Sequence, residues 1–183
     1  VYSKIVSFTS SKLSNDTVEI VSSDNKVKLK LMPGTVKSSY TGTIKFKISD
    51  KQTIEDADKT KIVNANSKLA QQLGKTDLGN FKDLYYEFNV YDNTNSEISS
   101  DFIEPGKYVV LSLKYPSGIS DIDAQNLSVN KLNENSSVWE KVEQHKGIDY
   151  SNKLIKVYLT HFSFYNVSED VYTNLDELEV YPN

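Results

Sequence analysis

Two side chains of this sequence stand where one could take a proton from the other: His161 and Ser163, on either side of Phe162. A serine hydroxyl is a weak nucleophile until a base removes its proton, and an imidazole titrates in the range that suits the task. In an extended strand the two would share one face while Phe162 points to the other and anchors in a core. A plain strand accounts for the same tripeptide, with Phe162 buried and its neighbours solvent-facing or hydrogen-bonded.

Other chemistry-bearing residues form weaker patterns. His145 is the only other histidine and lies in a polar stretch, Glu143-Gln144-His145-Lys146-Gly147, that reads as a hairpin connection. Its spacing from His161 makes no metal site. Asp92, Asn93, Asn95 and Glu97 cluster their oxygens in a turn, but without the central glycine and distal glutamate of an EF-hand loop. Turn formation explains them equally, and Asp121-Ile122-Asp123 repeats the suggestion more faintly. The chain carries 12 Tyr, 7 Phe and 1 Trp, enough to raise a sugar-stacking role. Most of the tyrosines lie within alternating runs where cross-strand packing would use them, and Trp139 reads as core. No metal or cofactor is implied.

The elements that must position these residues are strands. Val27, Leu29 and Leu31 alternate with Lys26, Lys28 and Lys30, and Ile44, Phe46 and Ile48 with Lys45 and Lys47. The same period recurs at Leu84 to Val90, Val109 to Tyr115, Leu127 to Val129 and Ile155 to Leu159. Strict alternation marks half-buried antiparallel strands. Turn formers such as Pro33-Gly34, Asp92-Asn93 and Pro105-Gly106 separate the runs. Together they predict an all-β fold, an antiparallel β-sandwich. One segment departs: Ile62, Ala65, Leu69 and Leu73 follow a helical period, with Gly74 as C-cap, predicting a short helical insertion over about 53–74. That helix is expected to cover one edge or end of the sandwich rather than to bind a partner.

Composition narrows the function classes. All 21 basic residues are lysine, against 25 acidic residues, for a net charge of −4. Without arginine or a net basic charge, nucleic-acid binding is not expected. Cysteine is absent, which removes disulfides, thiol nucleophiles and thiolate metal sites. No apolar run approaches the roughly 20 residues of a membrane helix. The chain opens on Val1 with no basic-then-apolar leader, so any targeting signal is expected outside it.

Four stretches in order then carry a family resemblance. Lys26–Val36 (KVKLKLMPGTV) has a strand followed by a Pro-Gly turn, and Leu159–Tyr165 (LTHFSFY) has a closing strand with His-Phe-Ser. Between them lie Leu127–Trp139 and Ile148–Val157 as paired strands. This combination resembles the domain shared by zonula occludens proteins, netrin receptors and ankyrins, the ZU-five domain, in its bacterial surface-protein form. The insertion near Thr53 to Leu73 departs from the eukaryotic pattern. Several eukaryotic members cut themselves between the Phe and Ser of this motif. The resemblance therefore implies a candidate self-cleavage in which Ser163 Oγ attacks the Phe162 carbonyl, His161 takes the proton, and water hydrolyses the resulting ester. Such a step also needs a distorted peptide at the scissile bond. The final Val180-Tyr181-Pro182-Asn183 is similar to the opening of the last domain in large bacterial secreted proteins.

These readings give residues 1–16 as a lead-in, 17–168 as a ZU-five-like sandwich, and 169–183 as an acidic tail leading to a following domain. The expected function is a non-enzymatic structural or adhesive module of a secreted or cell-surface protein. Its partners would be other domains of the same polypeptide and a surface protein or glycan. The alternatives are a self-cleaving module, using His161, Phe162 and Ser163, and a carbohydrate-binding sandwich.

Overall fold

In the computed structural model, which describes residues 3–171, eleven strands build two antiparallel sheets. One sheet is ordered β1 (Lys4–Thr9), β4 (Thr43–Ser49), β5 (Tyr85–Tyr91), β11 (Phe164–Glu169), β7 (Leu127–Asn133) and β8 (Val138–Lys141). The other runs β2 (Val18–Val21), β3 (Val27–Leu31), β6 (Val109–Lys114), β10 (Leu154–Leu159) and β9 (Gly147–Asp149). Helices α1 (Ser10–Asn15), α2 (Asp56–Gln72) and α3 (Asp121–Ala124) lie in the connections. The all-β sandwich read from alternation is the architecture observed.

Alternation explains why the sheets stack. Leu29, Leu111 and Val157 from the five-stranded sheet, and Phe46, Phe88 and Val129 from the six-stranded one, are fully buried in the core. Where the sheets meet, Phe162 packs its ring against Phe102, Phe88 and Phe46 at centroid separations of 4.7, 5.7 and 6.4 Å. Edge and tilted pairings of this kind add attraction beyond the area they bury.

The predicted helical insertion is α2, with Ile62, Ala65 and Leu69 buried and Gly74 in the left-handed region just after it. It packs against β8, on the outer face of the six-stranded sheet. Asp56 and Asp58 in its first turn suit the positive end of the helix dipole. Asn66 fastens it twice: its amide donates to the Lys82 carbonyl (3.0 Å), and its Oδ1 accepts from the Trp139 indole N–H (2.8 Å). Trp139 is buried, as its sequence context suggested.

Three segments differ from the reading of the sequence. Residues 4–9, taken as lead-in, form β1 and pair along β4 from Lys4↔Ile48 to Thr9↔Thr43. The polar stretch at 143–146 is not a hairpin turn; it carries the chain from β8 in one sheet to β9 in the other. Leu159–Tyr165 is not one closing strand either. Leu159 ends β10, residues 160–163 cross between the sheets, and Phe164 begins β11. The acidic-tail reading begins at Glu169, the last residue of β11, while residues 172–183, with Tyr181-Pro182-Asn183, lie outside the described residues.

The registers also fix direction. Lys4 pairs with Ile48, Ile48 with Phe88, and Glu87 with Phe164, so β1 starts level with the start of β11. β1 then runs opposite to β11. The chain thus enters β1 from the same end of the sheet at which β11 leaves it.

Candidate functional site

The crossover places the predicted chemistry in a held, ordinary backbone. The Phe162 N–H donates to the Ser99 carbonyl (2.9 Å), and the Ser163 carbonyl accepts from the Phe88 N–H (3.0 Å). Among the described residues, the non-glycine positive-φ positions are Asn25, Asn95, Ser137, His145 and Lys153, none of them in the crossover. Phe162 anchors in the core, 4% exposed, as its flanking pattern suggested.

His161 and Ser163 are both half-buried but are not joined by a hydrogen bond among the described residues. His161 Nδ1 lies 3.5 Å from Thr160 Oγ1, and its carbonyl accepts from the Tyr165 hydroxyl (2.8 Å). Burial, aided by the nearby Lys131 ammonium, holds the imidazole below its ordinary pKa and hence neutral at pH 7. Ser163 instead lines a polar cleft of about 380 Å³ with Glu87, Glu97 and Glu134. Burial, reinforced by Asp58, pushes the Glu87 carboxyl up to about 7. Glu97 Oε1 accepts from the Asn89 amide and the Ser99 hydroxyl. The structure therefore supplies a neutral base and a hydroxyl two residues apart, with the hydrogen bond that would couple them unmade.

The turn oxygens are used locally. Asp92 Oδ1 accepts from the Thr94 N–H, the Thr94 hydroxyl and the Ser96 N–H. Asn95 takes the positive φ that such a turn needs. Ser120 caps α3 by accepting from the Asp123 N–H, which places Asp121 and Asp123 in a helical first turn.

A different surface brings charged groups together. On the five-stranded sheet, residues alternate between the core and an outer face that no element among the described residues covers. The registers set Lys28 opposite Ser112, and Ser112 opposite Lys156. One row on, Glu19, Lys30, Val110 and Tyr158 follow one another across four strands. At the other end Lys114 donates its N–H to the Lys26 carbonyl, setting those two side by side. Among the described residues, five lysines thus share this face with two acids, Glu19, whose carboxylate is 3.7 Å from Lys28, and Asp149, opposite Leu154. Ser112 is only 4% exposed although it points outward, because the stems of Lys28 and Lys156 flank it.

Aromatic rings close one end of that face. Tyr108 and Tyr158 stack at 3.7 Å and 6°, and the His145 ring lies 4.6 Å from Tyr158. His145 is carried there by the sheet-to-sheet connection, pinned where the Tyr158 N–H donates to the Gln144 carbonyl (3.1 Å). Strand order puts Tyr108 and His145 on opposite sides of Tyr158. Reading the sequence picked out Lys26, Lys28 and Lys30 as one face. It missed Lys114, Lys156 and the ring stack, because their adjacency comes from strand order rather than spacing.

No protein-family model matches the chain, and no curated protein matches it in sequence. The ZU-five resemblance therefore rests on the quoted motifs alone.

Proposed function

We propose that this chain is a non-catalytic interaction module of a larger secreted or surface-displayed protein, and that its working surface is the bare outer face of the five-stranded sheet. The observation that carries this reading is the contrast in charge. Among its described residues, a chain of net charge −4 concentrates five lysines against two acids on one sheet face. Apolar and polar cross-strand pairs alone would hold such a sheet together, so the lysine rows are a feature of the surface rather than of the fold.

Strand direction favours adhesion over spacing. An in-line spacer enters at one pole and leaves at the other, whereas here β1 begins and β11 ends toward the same end of the six-stranded sheet. Within a longer polypeptide that arrangement projects the sandwich sideways and leaves the outer face of the five-stranded sheet accessible. The ZU-five resemblance fits an extracellular module of this kind.

The test has two arms. Purified protein held at neutral pH should keep a single intact mass, and Ser163→Ala should change nothing. A fragment lacking the 21 residues after Phe162 (183 − 162) would replace this reading with self-cleavage. On an array of immobilised glycans and polymers, the module should bind some members through the lysine face. An array with no bound member would count against an interaction role.

A further inference from the structure

We propose that the lysine face of the five-stranded sheet binds a polyanionic polysaccharide, a linear chain bearing carboxylate or sulfate groups. The inference rests on the interaction-module reading above and names the ligand class for that same face.

Geometry argues first for an extended polymer. Lys28, Ser112 and Lys156 form a row across β3, β6 and β10, so the two ammonium-bearing strands lie about 10 Å apart. Lys26 with Lys114 on one side, and Lys30 on the other, continue the positive field along the strands. A sheet face presents its donors in rows rather than gathered around a small anion. It does offer a track along which a chain with regularly repeated charges meets one lysine after another.

The side-chain chemistry then selects among polyanions. Lysine is a point charge with three rotatable donors, suited to carboxylate and sulfate groups whose orientation varies along a flexible chain. The face lacks arginine, the planar fork that recognises phosphate in two-point fashion. It offers few open ring faces for nucleobases, since Tyr158 is flanked by Tyr108 and His145. Val21, Val110 and Leu154 are its aliphatic contributors, one on each of three strands, too little for the buried anchor that a protein partner uses. What the stack does offer is two tyrosine hydroxyls, bonded to each other and carried on the face that holds Lys156, groups that also pair with sugar hydroxyls.

Each exposed lysine–anion contact is weak, about 1 kcal/mol in water. Affinity must come from several at once, and the binding is therefore strongly salt-dependent. Counterion release along a charged polymer has the same consequence.

The experiment measures binding of the full chain to a polyuronate, a sulfated glycan, a neutral glucan, a single-stranded DNA and polyglutamate, at low and physiological salt. The proposal expects binding to the polyuronate or the sulfated glycan that weakens about tenfold or more as salt rises. A Lys28→Gln/Lys30→Gln/Lys156→Gln triple variant should lose that binding by about tenfold or more with an unchanged melting temperature. A charge-matched triple variant elsewhere, Lys12→Gln/Lys51→Gln/Lys68→Gln, should keep it. Equal loss in the two triple variants would overturn the proposal by showing a non-specific charge effect. Preference for the neutral glucan, DNA or polyglutamate, still lost in the first triple variant, would overturn the ligand class while leaving the interaction face standing. Absence of binding to every polymer would overturn both.

Discussion

The two sheets of this sandwich treat their outer faces in opposite ways. The six-stranded sheet lays α2 across part of its outer face. There Ser128, Asn130, Asn166 and Ser168 point outward yet are buried. They bond to one another: the Asn130 amide donates to Asn166 Oδ1 (2.8 Å) and Ser168 Oγ (2.9 Å), and Ser128 donates to Asn130 Oδ1, while Asn166 Nδ2 stays buried with no partner among the described residues. The five-stranded sheet leaves its lysines in water. Polar residues on the first face are structural, because burial makes each unmade bond costly. The lysines of the second can turn to a ligand at little cost to the fold, Lys28 sharing only an exposed 3.7 Å pair with Glu19.

Substitutions should therefore rank by where they fall. Phe162→Ala, at the junction both sheets share, should cost about 3–5 kcal/mol through lost burial and a cavity between three phenylalanine rings. Urea denaturation should show a lower midpoint at an unchanged slope. Asn130→Ala, on the covered face, should cost about 1–3 kcal/mol by stranding the acceptors of its amide. A loss below that range would mean that water reaches beneath α2, and the comparison would weaken.

Glu87 gives the covered face a pH signature. Its folded carboxyl titrates near 7, above the ordinary value of 4.5, so the folded state binds that proton more tightly than the unfolded chain. The associated stability is fully present below about pH 4.5 and is lost as pH rises through about 7. Glu87→Gln should therefore leave stability unchanged at pH 4 and raise it by about 1–2 kcal/mol at pH 8, a figure reduced for partial solvent screening. Thermal melts of both proteins at the two pH values decide it. Smallest of all, Lys28→Gln or Lys156→Gln on the bare face should move stability by less than about 0.5 kcal/mol.

Legibility in the sequence followed the same division. Strands β3, β6 and β10 were readable because one of their faces is wet, which preserves the alternation of lysine or serine with aliphatics. Strand β11 was not, since FYNVSE is buried on both sides and its polar residues are hidden by pairing with β7 rather than exposed. In β7 the alternation Leu127-Ser128-Val129-Asn130 suggested a half-wet strand, yet all four are buried. A sheet face looks the same in sequence whether water or a polar neighbour satisfies it. Ile5 points outward at 54% exposure, so β1 also lacked a clean pattern. Of the candidate site, the placement of Phe162 was readable from alternation, but the break between β10 and β11 was not. The crossover departs from a continuous strand because Leu159 and Phe164 belong to different sheets.

The most direct measurement of the central claim is an NMR titration of isotopically labelled protein with a polyuronate at low salt. The account predicts amide shifts concentrated on β3, β6 and β10 and at His145, with α2, β7 and β8 unmoved and the shifts reversed by added salt. Shifts centred on α2 and β8, or on the cleft beside Ser163, would contradict it.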